Sequence, residues 1–161
     1  NTQNVTSMNA MFQKCYSIVN IPQLDTQRVT DMSSMFNSCY SFVNIPQLNT
    51  QRVTSMNSMF FGCLSLVAIP QLDIQNATNI NTLFSSCYSL TTANIQNVKL
   101  ACPLGNATKL SKESLLYIIN NEASTSAITI TLHSYAYQKL AKDADIVAAL
   151  AEHPNLSLAS A

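Results

Sequence analysis

The chain has 161 residues, of which 47% are hydrophobic and only 10% are charged, and its formal net charge at pH 7 is zero. This composition suffices for one domain or one repeat array with a continuous core. A neutral chain without basic clusters gives little electrostatic reason to bind nucleic acid or anionic lipid. The longest apolar run, residues 146–151, is far shorter than the roughly 20 residues that cross a bilayer.

The first hundred residues repeat at an interval of 24. The motif M-x-x-M-F-x-x-C occurs in three consecutive copies, and a fourth copy has isoleucine and leucine in place of the two methionines. A period of 20 to 50 residues is typical of solenoid proteins. The aligned positions are Phe12, Phe36, Phe60 and Phe84, followed by Cys15, Cys39, Cys63 and Cys87.

Each repeat divides into two halves with different patterns. In the second copy, apolar residues between Val29 and Cys39 fall on one face of a helix, and Thr30 stands where an N-cap belongs. The half that follows is β-branched and apolar until Pro46, which predicts a strand of three or four residues near Phe42–Ile45, with parallel counterparts at 18–21 and 66–69. The predicted fold class is therefore an α/β solenoid of four 24-residue coils, each with a short helix and a short parallel strand.

The cysteines and methionines of the repeats are expected to be core residues. The cysteines lack the spacing of a zinc site, and no repeat supplies a base that would activate a nucleophile. Stacked copies would hold their Cβ atoms about 4.8 Å apart, whereas about 3.8 Å is typical of a disulfide. We therefore expect free, buried thiols in the four repeats, a free thiol at Cys102, and no metal or other cofactor.

Polar and aromatic rows that recur around the predicted strand are the candidate partner-binding residues. An uncharged row of amides can form hydrogen bonds with a protein or a glycan, and tyrosines can act as anchors. Two alternative roles compete with binding: amide ladders also stabilise a stack, and tyrosines at these positions also serve to cover the ends of the predicted helices. The candidates are Gln23, Gln47 and Gln71, Asn20 and Asn44, and Tyr16 and Tyr40.

The pattern changes after residue 100. Ser111 is the predicted N-cap of a helix over the following residues, and "AITITLH" alternates as a strand does. One or two helices are expected after it, with Asp143 or Asp145 able to start the second, and "NLSLAS" predicts a final strand. We therefore divide the chain into a solenoid at 1–100 and a C-terminal α/β cap at 101–161 that covers the last coil.

Units such as "VTDMSSMFNSCYSFVNIPQLDT" resemble the repeat of about 25 residues found in BspA-like leucine-rich-repeat surface proteins, over residues 1 to about 96. The resemblance implies a right-handed solenoid of leucine-rich-repeat type, on a surface protein of gut or oral bacteria or on the fibre of a phage that infects them. It brings no enzymatic activity.

These observations predict a non-enzymatic module that binds a protein or glycan through the repeat face in adhesion. The alternative is a structural spacer or a receptor-binding fibre component of a phage virion. No two acidic residues are marked as a facing catalytic pair, and a glycine-rich phosphate loop is missing, since the chain has only two glycines. We expect an extracellular, cell-surface or virion location, and a longer parent chain because the sequence opens within a repeat.

Overall fold

The computed structural model describes residues 1–161 and contains three helices and two small parallel sheets. The first sheet pairs β1 (Ala68–Asp73) with β2 (Thr92–Gln96), and the second has the order β3 (Cys102–Leu104), β4 (Ile128–Leu132) and β5 (Leu156–Ser160). The helices are α1 (Lys112–Asn120), α2 (Ser134–Leu140) and α3 (Ala144–Glu152). None of the three is long and apolar enough to cross a membrane.

The predicted fold class, a right-handed leucine-rich-repeat-like solenoid of four coils with a helix and a strand in each, is wrong. The structure is a small α/β domain in which all three helices follow residue 111 and strands before residue 100 occur only at β1 and β2. No unit of one helix and one strand recurs at 24 residues. What recurs at that interval is the contact between successive 24-residue repeats, which we call segments. Thr30, Thr54 and Thr78 each donate their backbone N–H to the carbonyl of the threonine 24 residues earlier, at 2.8 Å.

The threonines therefore do not cap helices, and the segments that follow them form successive turns. Met35 N–H donates to Met32 O and Cys39 N–H to Phe36 O, each a bond across three residues instead of the four of an α-helix. Ser34 and Ser38 have φ values of 55° and 63°, which interrupts a helical path twice within five residues. Turns of this kind place the same side chains inside as a helix would, so the apolar spacing did not distinguish the two.

Backbone N–H groups that form no hydrogen bond within the turns donate to carbonyls of the neighbouring segment. Met32, Phe36 and Ser38 donate to the carbonyls of Ser55, Met59 and Phe61 at 3.0, 2.9 and 2.7 Å. Buried backbone groups must find partners, and here these partners lie one repeat away in the sequence. The repeated sequence thus specifies a pairing between segments and no regular helix.

The strand predictions fail in two ways. Near Phe42–Ile45 there is only an isolated bridge from Asn44 to Ala68, and β1 continues through Pro70 instead of ending before it. Proline is tolerated because β1 has a ladder partner on one side only, and the register shifts between Ile69 and Leu72. The carbonyl of Pro70 accepts a hydrogen bond from Asn94 Nδ2 at 2.8 Å.

The core is a single cluster of 42 buried hydrophobic residues that runs from Met8 to Leu156. Its axis in the first part of the chain is a stack of phenylalanines: the ring centroids of Phe36 and Phe60 are 5.6 Å apart, and those of Phe60 and Phe84 are 5.8 Å apart. These three rings are fully buried, as predicted. Met11 contradicts the prediction of buried methionine rows, because it is 47% exposed on the outer face of the first segment.

The helices and strands predicted after residue 100 are present. Ser111 caps α1 by accepting a bond from the N–H of Ser114, and Asp143 caps α3 by accepting from Asp145 and Ile146. Lys112 Nζ lies 2.8 Å from Asp143 Oδ1, and this bond raises the pKa of the lysine and lowers that of the aspartate. This ion pair therefore links the N-terminus of α1 to the N-terminus of α3.

The predicted boundary at residue 100 stays a prediction. Residues on its two sides are joined by hydrogen bonds from Ser111 N–H to Thr91 O at 2.9 Å and from Ala93 N–H to Ser114 Oγ at 2.9 Å. The shared core cluster also crosses it. The later part thus packs directly on β2 and the fourth segment.

Candidate functional site

A polar groove of about 470 Å³ crosses the turns that follow the predicted strand positions. Only two of its lining residues, Leu24 and Leu48, are hydrophobic, and only two, Asp25 and Asp73, are charged. We call it the amide groove because glutamine and asparagine make up more than half of its lining. Its residues are Gln23, Leu24, Asp25, Thr26, Gln27, Gln47, Leu48, Asn49, Thr50, Gln51, Gln71, Asp73 and Gln96.

One wall is a glutamine ladder that joins the segments. Gln23 Nε2 donates to Gln47 O at 2.6 Å, Gln47 Nε2 donates to Gln71 O at 3.0 Å, and Gln71 Nε2 donates to Gln96 Oε1 at 2.6 Å. The three candidate glutamines are therefore brought together. Their amide nitrogens are already bonded within the protein, so the ladder has a structural role whatever else it does.

The floor is fixed by two buried threonines. Thr26 Oγ1 donates to Asn49 O at 3.0 Å and accepts from Asn49 N–H at 2.8 Å, and Thr50 makes the same pair of contacts with Asp73 at 2.8 and 3.0 Å. Each hydroxyl thus satisfies both backbone groups of a residue in the next segment. A hydroxyl bonded in this way fixes the separation of adjacent turns along the groove.

Each of these turns opens with an aspartate or an asparagine. The Oδ1 atoms of Asp25 and Asn49 accept the backbone N–H of the residue two positions later, at 3.1 Å in both cases. Asp73 does the same and is only 8% exposed, because Asn97 Nδ2 and Gln96 Nε2 also donate to its carboxylate at 2.9 and 3.2 Å. Asp73 therefore closes one end of the groove with its oxygens occupied, whereas Asp25 remains exposed at the other end.

Several groups in the groove are free to meet a ligand. Gln27 and Gln51 are exposed and their side chains form no hydrogen bond within the protein, and the Oε1 atoms of Gln23 and Gln47 accept none. Primary amides present both donors and acceptors without charge. The groove can thus bond to hydroxyl or amide groups of a neutral ligand.

The remaining candidate residues lie outside this groove. Tyr16 and Tyr40 are 48% and 44% exposed, and their rings stack on each other with centroids 5.0 Å apart. Asn20 and Asn44 are exposed as well, and neither lines the groove. The predicted site therefore separates into the amide groove and a different surface that carries the tyrosines.

Gln27, Gln51 and the threonines of the floor were not among the predicted site residues. The sequence does carry their signal, because "DTQ" at 25–27 and "NTQ" at 49–51 recur at the same 24-residue interval as the candidate glutamines.

All five cysteines are free, as predicted, but Cys15 is exposed and not buried. Within the stack, the thiol of Cys39 donates to Phe12 O at 3.0 Å and that of Cys63 to Phe36 O at 3.1 Å. Burial raises the pKa of Cys39 to about 11 and that of Cys87 to about 12. The buried thiols are thus held protonated near neutral pH and act as small apolar residues with a weak donor.

Ionisable groups elsewhere form no clustered site. The nitrogen Nδ1 of His133 accepts the N–H of Tyr135 at the start of α2, and His153 Nδ1 lies 3.2 Å from Glu122 Oε2. No three His, Cys, Asp or Glu side chains lie close enough together to hold a metal ion. The amide groove is accordingly the candidate functional site.

The chain is a small α/β domain with a polar groove, and it belongs to the family described as "Mycoplasma protein of unknown function, DUF285", whose model matches residues 1–98. The matched range holds all 13 residues of the groove. No significant match to a curated protein or to a solved structure was found. The family description carries no function and does not bear on the resemblance to BspA-like proteins, which stays an interpretation.

Proposed function

We propose that this protein is a non-enzymatic binding module that recognises a neutral glycan through the amide groove. The observation that carries the proposal is the lining of the groove: free glutamine side chains on adjacent segments, above a floor fixed by threonines. Display on a cell or virion surface, as an adhesion module, belongs to the same proposal.

A glycan fits the groove better than a charged or an apolar ligand does. Sugars present many hydroxyl groups, each of which can donate to an amide oxygen and accept from an amide nitrogen. The groove offers both partners in repeated copies and carries only one exposed carboxylate, Asp25. With two hydrophobic residues in the lining, it has little to offer an apolar side chain of a protein.

Useful affinity requires several contacts at once. A single hydrogen bond contributes about 0.5–1.5 kcal/mol net, so one amide alone gives no useful binding. Equivalent groups recur at Gln27 and Gln51, one segment apart, and a ligand of several sugar units can reach both. Affinity should therefore rise with the length of the oligosaccharide.

The test is a glycan-binding screen of the whole chain, followed by the double variant Gln27→Ala/Gln51→Ala on any ligand found. These side chains make no bonds within the protein, so their removal should leave stability unchanged and lower affinity by about 2 kcal/mol, or ~30-fold. Gln75→Ala is the matched control, because Gln75 is exposed one segment further along and does not line the groove. It should bind as the parent does.

A parent chain that binds no glycan, or a double variant that binds as tightly as the parent, would contradict the proposal. The alternative function, a structural spacer or fibre component, would then be the preferred proposal. One observation favours it: the amide nitrogens of Gln23, Gln47 and Gln71 all donate hydrogen bonds within the protein. The proposed surface location is tested separately, by antibody labelling of intact cells that express the parent protein.

A further inference from the structure

The first segment presents a row of backbone carbonyls that accept no hydrogen bond. They belong to Ser7, Asn9, Met11 and Gln13, and we call them the open edge. In each later segment the four equivalent carbonyls all accept a backbone N–H from the segment before, at 2.7 to 3.1 Å. Those carbonyls are of Asp31, Ser33, Met35 and Asn37, of Ser55, Asn57, Met59 and Phe61, and of Asn79, Asn81, Leu83 and Ser85.

Side chains beside the open edge are exposed where their equivalents are buried. Met11 is 47% exposed, whereas Met35 and Met59 are fully buried. Cys15 is exposed, whereas the equivalent cysteines of the three later segments are buried, and the thiol of Cys39 donates to a carbonyl of the segment before it. The first segment thus lacks a neighbour of the kind that each later segment has.

The conformation of the donors selects what can fill the open edge. In each observed interface the four donors are alternate residues, and the second and fourth have a positive φ, as in Ala10 at 54° and Lys14 at 62°. An extended strand, with a φ of about −120°, cannot follow this path. The occupant must therefore have left-handed residues four positions apart, as the segments of this chain do.

The phenylalanine stack sets a second requirement. Phe36 lies between two rings, with centroid distances of 5.5 Å to Phe12 and 5.6 Å to Phe60. Phe12 stacks on a ring on one side only. An occupant with phenylalanine between its two left-handed residues would extend the stack, and the 24-residue pattern of this chain places phenylalanine there.

A second copy of the whole chain does not meet these requirements. Two open edges would bring acceptor against acceptor, and carbonyls alone form no hydrogen bond. The matching donors would be in the fourth segment, and the later part of the chain covers that end. Ser86 N–H donates to Asn106 Oδ1 at 2.8 Å, and Phe84 is fully buried.

We propose that the open edge is a docking surface for one further segment of the 24-residue pattern, supplied ahead of Asn1 in the same polypeptide. Leu24 and Asp25 join adjacent segments directly, and Asn1 is equivalent to Asp25, so a segment joined at this point is in register. Docking pairs the four carbonyls and buries Met11 and Cys15. The four residues of the edge do not line the amide groove, so the proposal does not depend on glycan binding.

The test is the whole chain extended at Asn1 by a copy of residues 25–48, with the cysteine of the added copy changed to serine. Cys15 then reports on the edge. Its reaction with a thiol reagent should slow at least about tenfold relative to the parent chain, because a buried thiol reacts only when the structure opens locally. The midpoint of urea unfolding should also rise, since the extension adds buried apolar surface and hydrogen bonds.

The matched control is the same extension with Ser34→Pro and Ser38→Pro in the added copy. Proline has no backbone N–H and holds φ near about −65°, so the control lacks two of the four donors and both left-handed residues. Its length is unchanged. Cys15 should react in this control as fast as it does in the parent chain.

Three results would overturn the proposal: a Cys15 that reacts equally fast with and without the extension, a proline control that protects Cys15 as well as the intact copy does, or a parent chain in which Cys15 becomes protected as its concentration rises. The last would show that a second copy fills the edge. Circular dichroism checks folding, and if the first extension prevents it, a copy of residues 49–72 with Cys63→Ser is judged by the same criterion. Glycan binding is measured on the parent chain, so the two proposals can fail separately.

Discussion

The phenylalanine stack gives the sharpest prediction about stability. Phe36, Phe60 and Phe84 are fully buried, and their ring planes are nearly parallel, at 4° for the first pair and 1° for the second. Replacing one ring with leucine should cost about 1–2 kcal/mol through lost burial and imperfect filling of the space. Contact between adjacent rings should add a coupling of about 0.5–1.5 kcal/mol, which is lost once and not twice in the double variant.

The assay is urea unfolding of the single and double leucine variants at positions 36 and 60, with the pair at 36 and 84 as the control. Rings 36 and 84 are separated by two intervals of 5.6 and 5.8 Å, together about 11 Å, so their effects should be additive. Coupling in the adjacent pair and none in the alternate pair supports the stacking order. Equal coupling in both pairs, or none in either, would refute it.

Three further predictions concern the thiols and the turns. In the folded protein at pH 8, a thiol reagent should modify Cys15 rapidly and the four buried cysteines slowly, and all five should react in denaturant. Because burial raises the pKa of Cys39 from 9.0 to about 11, the unfolded chain loses this proton first, so the contribution of this thiol to stability should fall by up to about 1.4 kcal/mol per pH unit from pH 9 to 11. The other buried thiols add their own losses over the same range. Urea unfolding should show a smaller slope for Cys39→Ala and an unchanged slope for Cys15→Ala. Ala10 has a φ of 54°, so Ala10→Gly should raise the free energy of unfolding by about 0.5–1 kcal/mol, whereas Ala123→Gly, which has no such strain to relieve, should lower it.

The sequence predicted which residues become neighbours but not the backbone that joins them. The 24-residue interval placed Phe36 beside Phe60 and Gln23 beside Gln47, because identical side chains in successive segments pack and bond alike. It could not show that the segments are turns. Left-handed residues at Ser34 and Ser38 leave no mark in a pattern of apolar spacing. The one sequence signal is Gly62, which stands at the position equivalent to Ser38 in the next repeat and has a φ of 71°.

The later part of the chain was predicted more closely because its signals are local. Ser111 and Asp143 are strong N-caps, and β4 alternates buried and half-buried residues in the way its sequence does. Such elements are fixed by contacts within a few residues. The turns of the first part depend on hydrogen bonds to residues about 24 positions away, which local propensity does not report.

The candidate binding site stays a prediction. The repeated glutamines do line a groove, but repetition alone does not separate them from Asn20, Asn44 and the tyrosines. That separation depends on where the chain turns, and the turns were predicted incorrectly. The residues best suited to meet a ligand, Gln27 and Gln51, follow the buried threonines, whose burial could not be inferred from their polarity.

The central claim is that a neutral glycan binds along the amide groove, and nuclear magnetic resonance of the glutamine side-chain amides tests it most directly. On titration with an oligosaccharide from the screen, the amide resonances of Gln27, Gln51 and Gln47 should shift in a saturable way with a single dissociation constant. Those of Gln13 and Gln138, which are exposed away from the groove, should stay in place. Shifts confined to residues outside the groove, or equal shifts in all glutamines, would contradict the claim.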